Sequence, residues 1–384
     1  MRRLERYIST GGRLLRCGYT TGTCAAAATR AAAELLLADV TVPSVVVSTP
    51  AGVDVVVDVE SADRGDSWAT CAVRKDAGDD PDITDGVLVI ARVELCDGPD
   101  VVIEGGAGVG RVTKPGLDQG VGAAAINSVP RAMIRDAACA AAAAHGYVGG
   151  LAVTISIPDG VELAKRTFNP RLGIEGGISV LGTSGIVRPM SEDAMISSIK
   201  LELKVLYASG ATDLVLVPGN YGHDFAIQML GLGEEHLVSC SNYLGAAIDE
   251  AALLGFETLL LVGHIGKLAK VAGGAMNMHS RVSDGRAETI AAHAAMAGAA
   301  AEDVARIMEA PTTDAMIDIL TERGLLEATM ATLTARLGDN VSHRGAGRLR
   351  TEVVVFSRRH GLLGASQGAA ELVERSRATG GESQ

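Results

Sequence analysis

The chain has 384 residues, a formal net charge of −12, 47% hydrophobic residues and only 3% aromatics. That length accommodates about two domains with sizeable cores. The acidic balance and the scarcity of aromatic platforms exclude a general nucleic-acid or anionic-membrane binder, while leaving room for a local basic pocket that takes a small anion. The N-terminus (Met-Arg-Arg-Leu-Glu-Arg-Tyr) lacks the apolar core of a secretory signal, and no apolar run approaches a membrane span. A soluble cytoplasmic protein is expected, with no nucleic-acid or membrane partner and with homo-oligomerisation left open. Six cysteines (Cys17, Cys24, Cys71, Cys96, Cys139, Cys240) include no Cys-x-x-Cys pair, so no protein metal site is expected and the thiols read as reduced and mostly buried.

The first half reads as a mixed α+β domain, 1–189, with antiparallel strands. Ala and Leu dominate 23–38, a helix with Thr23 as N-cap and Asp39 at its exit. Val45 to Ser48 and Val53 to Val59 flank Pro50-Ala51-Gly52 as a hairpin, with alternate valines on one face. Further strands are expected at 68–74, 87–94 and 101–104. A second alanine-rich helix covers 130–145, with Pro130 near its start and Gly146 at its end, and a strand covers 151–157.

From 190 to 374 the rhythm becomes that of an α/β domain with a mainly parallel sheet. Helices at 191–208, 243–254 and 284–298 alternate with apolar strands at 213–217, 258–262 and 352–356. Helices between 300 and 338 are expected as an inserted or capping segment, and 375–384 as a disordered tail. Two strands run into glycine, at Pro218-Gly219-Asn220-Tyr221-Gly222 and at Gly263-His264-Ile265-Gly266-Lys267. These are the strand ends where parallel sheets bind ligands.

Several motifs are open to both a binding and a structural use. The glycine turn Gly105-Gly106-Ala107-Gly108-Val109-Gly110 fails the dinucleotide fingerprint, because Arg111 and Lys114-Pro115-Gly116 follow where a helix should open. Its backbone amides either face a ligand or close a plain turn. The stretch from Lys75 through Asp76, Asp79, Asp80 and Asp82 lacks EF-hand order, and is either a solvated acidic loop or a partner for ribose hydroxyls or an amine. Thr20, Thr21 and Thr23 cluster at a helix start, where free N–H groups attract anions or are simply capped. His264 reads equally as a structural histidine or a general base. The cluster Asn277, His279, Arg281, Asp284, Arg286 and Glu288 is a hydrogen-bond network or a charged helix start.

The most informative stretch is 163–189. It follows neither a helical nor an alternating period, yet it interleaves glycines and Lys165, Arg166, Arg171 and Arg188 with Phe168, Ile174, Ile178, Val180 and Ile186. An irregular segment this long and this apolar reads as a binding loop. Together with Arg16 through Ala25, Lys75 through Asp82, Gly105 through Gly110, Ile157 through Pro189, Pro218 through Gly222 and Gly263 through Leu268, it makes the chain resemble the cobalt-precorrin-5B (C-1)-methyltransferases of anaerobic cobalamin biosynthesis, across roughly residues 14 to 360.

The resemblance implies methyl transfer from S-adenosylmethionine to C-1 of a cobalt-bound corrinoid, giving S-adenosylhomocysteine and cobalt-precorrin-6A, with the cobalt belonging to the substrate. Such a displacement needs alignment and exclusion of water more than covalent catalysis. The substrate's carboxylates call for cations: Lys165, Arg166, Arg171 and Arg188, with Lys114 and Arg131 in reserve. Gly176, Gly177, Gly182 and Gly185 would let backbone approach the flat ring, with Thr183 and Ser184 as further substrate-binding candidates. For the donor, Asp76, Asp79 and Asp80 with Gly106 and Gly108 form one candidate site, and Gly219, Asn220 and Gly263 form its rival. His264 is the candidate proton acceptor. A nucleotide-dependent enzyme of another class and a non-catalytic corrinoid binder are the alternatives. No Walker-type motif supports the first, and the number of separate glycine sites disfavours the second.

Overall fold

The computed structural model describes residues 3–380. The chain forms two compact units that divide between Glu192 and Asp193.

The N-terminal unit opens with a hairpin, β1 (Tyr7–Thr10) and β2 (Arg13–Arg16), turned by Gly11 and Gly12, both at positive φ. Sequence reasoning missed it, although a Gly-Gly pair is a recognised two-residue hairpin signal. The short β3 (Gly18–Tyr19) leads into α1 (Thr21–Ala38). The N-cap is Thr20 and not Thr23: the Thr20 hydroxyl accepts the Thr23 N–H at 3.2 Å, one turn earlier than composition indicates. Alanine lets α1 bury nearly its whole circumference between the sheet and the next helix, since a small side chain permits close approach on every side.

That sheet comprises β4 (Ser44–Ser48), β5 (Asp54–Arg64), β6 (Trp68–Arg74), β7 (Leu88–Cys96) and β8 (Val101–Gly105). The short β9 (Gly108–Val109) and β10 (Arg111–Val112), then α2 (Ser128–Ala144), precede its last strand, β11 (Gly150–Ser156). The order is β4-β5-β6-β7-β11-β8, antiparallel except for β11 beside β8. Val55 and Val57 face the core while Asp54 and Val56 face out, as the alternation predicts.

The 163–189 stretch is not an irregular loop. After α3 (Gly160–Ala164) it carries β12 (Ile174–Glu175), β13 (Gly177–Ile178) and β14 (Ile186–Val187), which pair with β10, β9 and β3 respectively. Two-residue strands leave no readable period. Ile178, Val180 and Ile186 are buried in the main core and Ile174 in a small satellite cluster, so the apolar content serves packing.

The C-terminal unit starts with α4 (Glu192–Ala208) and alternates β15 (Asp213–Val217), α5 (Asn220–Gln228), β16 (Leu237–Ser239), α6 (Leu244–Leu254), β17 (Thr258–His264) and α7 (Ile265–Ala272). Then come α8 (Arg286–Met296), α9 (Ala301–Glu309), α10 (Thr313–Glu322), α11 (Leu326–Arg344), β18 (Arg350–Ser357), β19 (Gly361–Ala365) and α12 (Ala369–Gly380). The sheet order is β16-β15-β17-β18-β19, parallel but for β19. On one face α5 and α12 cover the sheet, and on the other lie α4 and α6 to α11. The 300–338 helices are therefore part of a core layer and not a cap: Met330, Leu333, Leu337 and Val341 are buried with Val353 and Val355. The expected disordered tail is also corrected, since α12 runs through 375–380, where Arg375 donates to Asp213 at 2.8 Å; residues 381–384 lie outside the described residues. Among the described residues no helix is long and apolar enough to cross a membrane.

Candidate functional site

In the N-terminal unit the structure spends most of the expected binding groups on one another. Asp76, 3% exposed, receives both terminal nitrogens of Arg16 at 2.6 and 2.8 Å and the N–H of Gly78 at 2.9 Å. Burial alone would raise its carboxyl, but the hydrogen bonds from Arg16 and Gly78 prevail and hold it below the ordinary carboxylate range. Asp79 accepts the Arg16 N–H at 2.7 Å, and Asp80 accepts the Met190 N–H at 2.9 Å. Lys75, 2% exposed, pairs with Asp82 at 2.7 Å. A polar cleft of about 340 Å3 beside them is lined by Arg3, Arg16, Arg74, Lys75, Asp76, Asp79 and Asp85, and each of these carboxylates accepts a hydrogen bond from this unit.

The glycines tell the same story. A Cβ on Gly106 would overlap the Ser156 hydroxyl, and one on Gly108 the Ile157 carbonyl. Gly177 lies against the Gly108 carbonyl and Gly182 against the Thr20 side chain. Their missing side chains admit neighbouring backbone and side chains of this unit. At the start of α1, Thr21 exchanges two hydrogen bonds with Leu181, Thr23 donates to Gly185 O at 2.7 Å, and Gly22 N–H donates to Leu181 O at 3.1 Å. The three threonines tie the 181–185 segment onto the helix. Ser184 bonds the Ile186 backbone, whereas Thr183 is exposed.

The cations do not converge as one cluster. Arg131 donates to the carbonyls of Ile126, Ile103 and Ala124, and Lys114 to that of Arg171 at 3.4 Å. Arg188 is exposed beside Cys17, whose thiol burial pushes up and Arg188 partly restrains. Lys165, Arg166 and Arg171 are exposed on either side of Phe168 in the chain, itself 58% exposed, with Lys165 bridging Glu162 at 2.7 Å.

The C-terminal unit has a different kind of site. From β15 the chain crosses through α5 to β16 on one side, and from β17 it travels to β18 on the other. The connections therefore diverge between β15 and β17, the switch point at which open α/β sheets carry their ligand crevice beyond the strands' carboxyl ends. Gly219 (φ +101) stands at the end of β15, where a Cβ would lie in ordinary contact with Lys267 Nζ at 3.5 Å. Lys267 donates to Ser241 O at 3.2 Å, and burial pulls its ammonium below the ordinary lysine value. His264 caps α7, its Nδ1 accepting the Gly266 N–H at 3.0 Å. Burial lowers the His264 value; Asp314 opposes this and Arg358 adds to it. Asn220 and Tyr221 are exposed at the start of α5, and Arg358 stacks 4.6 Å above the Tyr221 ring. Gly263 is different, since a Cβ there would press Leu268 at 2.9 Å, so it serves strand-to-helix packing.

Lys267, Tyr221 and Arg358 were not singled out from sequence as site residues. The first two lie in the strand-end motifs, and a count of polar groups within those motifs would have found them. Arg358 comes from the end of β18 and carries no local signal. The polar cluster at 277–286 resolves into local loop bonds: Asn277 to the His279 N–H, His279 to the Arg281 N–H, and an Asp284–Arg286 ion pair, with buried Lys270 donating to Met278 O and Ser283 O.

Residues 8–189 match the CbiD family profile and residues 277–367 that of the CbiD C-terminal domain. The cobalt-precorrin-5B C(1)-methyltransferase of Ruminiclostridium cellulolyticum is 47% identical over 354 residues, 92% of each chain. That of Alkaliphilus metalliredigens is 41% identical over 371 residues, 97% of each chain. The crystal structure of the cobalamin biosynthesis protein CbiD from Archaeoglobus fulgidus is 33% identical, covers 72% of this chain and 86% of that one, and superposes with a TM-score of 0.40. With both profiles matched in chain order and such relatives aligned along nearly its whole length, the chain belongs to the CbiD family of cobalt-precorrin-5B C(1)-methyltransferases.

Proposed function

We propose that this chain methylates C-1 of cobalt-precorrin-5B, with S-adenosylmethionine as the methyl donor held in the crevice between β15 and β17. The observation that carries this placement is the juxtaposition of Gly219 and Lys267 at the sheet's switch point, where a Cβ on Gly219 would touch Lys267 Nζ at 3.5 Å. The residues fit the group. Lys267 would meet the donor's carboxylate, the backbone at Gly219 and Asn220 would let it approach closely, and the exposed Tyr221 ring offers an apolar wall. Bound there, S-adenosylmethionine supplies an electrophilic methyl group on a sulfonium. What the chain contributes is position and the removal of water.

For the corrinoid, whose cobalt is part of the substrate, the exposed Lys165, Arg166 and Arg171 on either side of Phe168 in the chain combine cations for the peripheral carboxylates with an apolar contact for the ring. The Lys165–Glu162 bridge is exposed at both ends, so re-pairing Lys165 with a substrate carboxylate costs about 0–1 kcal/mol.

Isothermal titration with S-adenosylhomocysteine, together with transfer of labelled methyl from S-adenosylmethionine to cobalt-precorrin-5B, tests the reading. Tight S-adenosylhomocysteine binding and label in the corrinoid are expected. Tight ATP binding without methyl transfer, or corrinoid binding without transfer, would overturn it. Arg166→Ala is expected to weaken corrinoid binding while leaving donor affinity unchanged.

A further inference from the structure

We infer that His264 serves the donor crevice as a hydrogen-bond donor through Nε2 and not as a proton acceptor. This rests on the reading that the crevice takes the methyl donor.

A backbone amide always carries its hydrogen, so the Gly266 N–H at 3.0 Å requires a lone pair on His264 Nδ1. The neutral ring then carries its single hydrogen on Nε2. A base acting at Nε2 would need the other tautomer, whose Nδ1–H would point at the Gly266 N–H, setting two donors face to face and uncapping α7. The ring also has little freedom to escape this choice. Its backbone is the last residue of β17, Phe356 meets it edge-on at 5.6 Å and 90°, and Tyr221 lies at 6.4 Å.

Among the described residues Nε2 has no hydrogen-bond partner, and it is not one of the buried unsatisfied atoms. It is therefore a fixed donor presented at the carboxyl end of β17, beside the crevice. Lys267 follows three residues later on the same helix start and likewise offers only hydrogens. Two hydrogen-bond donors select an acceptor, and the methyl donor carries one anion, the carboxylate of its amino-acid moiety; Asp314, whose charge acts on His264, already accepts the Ser357 hydroxyl at 2.6 Å. The geometry thus gives His264 and Lys267 one shared task, fixing that carboxylate.

Nitrogen-15 NMR of histidine-labelled, ligand-free protein tests the tautomer directly. A His264 signal with protonated Nε2 and unprotonated Nδ1 is expected, with the Nε2 resonance moving on addition of S-adenosylhomocysteine. A protonated Nδ1 would overturn the inference. His264→Asn retains an oxygen that can cap α7, so it separates binding from folding. Its S-adenosylhomocysteine Kd should rise about tenfold to a hundredfold. An unchanged Kd with kcat reduced about a hundredfold or more is the signature of a lost base and would sink the inference. Lys267→Met distinguishes this failure from that of the underlying reading. If Lys267→Met binds S-adenosylhomocysteine as the wild type does, the donor is not in the crevice and both claims fall. If it weakens binding while His264→Asn does not, only the claim about His264 falls.

Discussion

Gly219 and Lys267 meet at the sheet's switch point: a Cβ built on Gly219 would touch Lys267 Nζ at 3.5 Å and, its chain neighbours aside, no other heavy atom within 4 Å. Lys267 is partly buried, bonds one carbonyl, and has its ammonium pulled down chiefly by burial. A depressed lysine value means that folding disfavours the charged form, a cost borne at neutral pH for the sake of binding. Lys267→Met removes charge and cost together while keeping the apolar stem. The donor's Kd should rise about tenfold to a hundredfold, as for loss of a hydrogen bond to a charged group, while the melting temperature stays level or rises. A fall in melting temperature with unchanged affinity would mark Lys267 as structural.

The pH response of the crevice follows from His264. Burial lowers its value from the ordinary 6.5, Asp314 raises it and Arg358 lowers it. A histidine depressed in the folded state stabilises the protein above its unfolded value, and that stability is lost as pH falls through the folded value. Stability should therefore be flat above about pH 6.5 and decline on acidification below it. Asp314→Asn should move that decline to lower pH, and Arg358→Met should move it to higher pH. Opposite displacements in an NMR titration of His264 check the assignment; displacements in the same direction would refute it.

Arg16 and Asp76 form the polar pin of the N-terminal unit, a two-toothed ion pair with Asp76 almost fully buried. Removing one partner of such a pair strands the other, at a cost of about 3–5 kcal/mol. Arg16→Ala should lower the urea midpoint accordingly, and Arg16→Lys should recover only part of the loss because an ammonium cannot engage both oxygens. The Asp76 carboxyl is held below its ordinary value, so its contribution is complete above about pH 4 and disappears as acid titrates the folded carboxylate. The variant should consequently lose less stability than the wild type between pH 4 and pH 2, a range set by the ordinary carboxylate value.

These three relationships explain what could be read from the chain and what could not. Helices such as α1 and α2 and strands such as β15 and β17 were legible because one period, or one unbroken apolar run, persists through each. The strand-end glycines marked the crevice because a parallel sheet has only one ligand edge. The short pairings β9–β13 and β3–β14 were not legible, because two residues have no period and their partners lie some 70 and 170 positions away in the sequence, between Gly108 and Gly177 and between Gly18 and Val187. For the same reason Asp76 looked like a ligand group: nothing local to it shows that Arg16, 60 residues earlier, takes both of its oxygens. The glycines of 176–185 looked suited to a flat ligand, when Gly177 and Gly182 in fact admit their own chain.

That last distinction can be measured with one substitution at two glycines. Gly177 and Gly120 both have backbone angles open to any residue, since neither sits at positive φ. A Cβ on Gly120 meets nothing within 4 Å, whereas one on Gly177 would overlap the carbonyl of Gly108, a backbone atom that cannot rotate away. Gly120→Ala should therefore stabilise the protein by about 0.4–1 kcal/mol, through the restricted unfolded chain alone. Gly177→Ala should cost about 1–3 kcal/mol as β13 is pushed off β9. In differential scanning calorimetry the two variants should move the N-terminal unit's transition in opposite directions. If Gly177 were instead kept free for ligand approach, Gly177→Ala would leave that transition in place and impair only corrinoid binding.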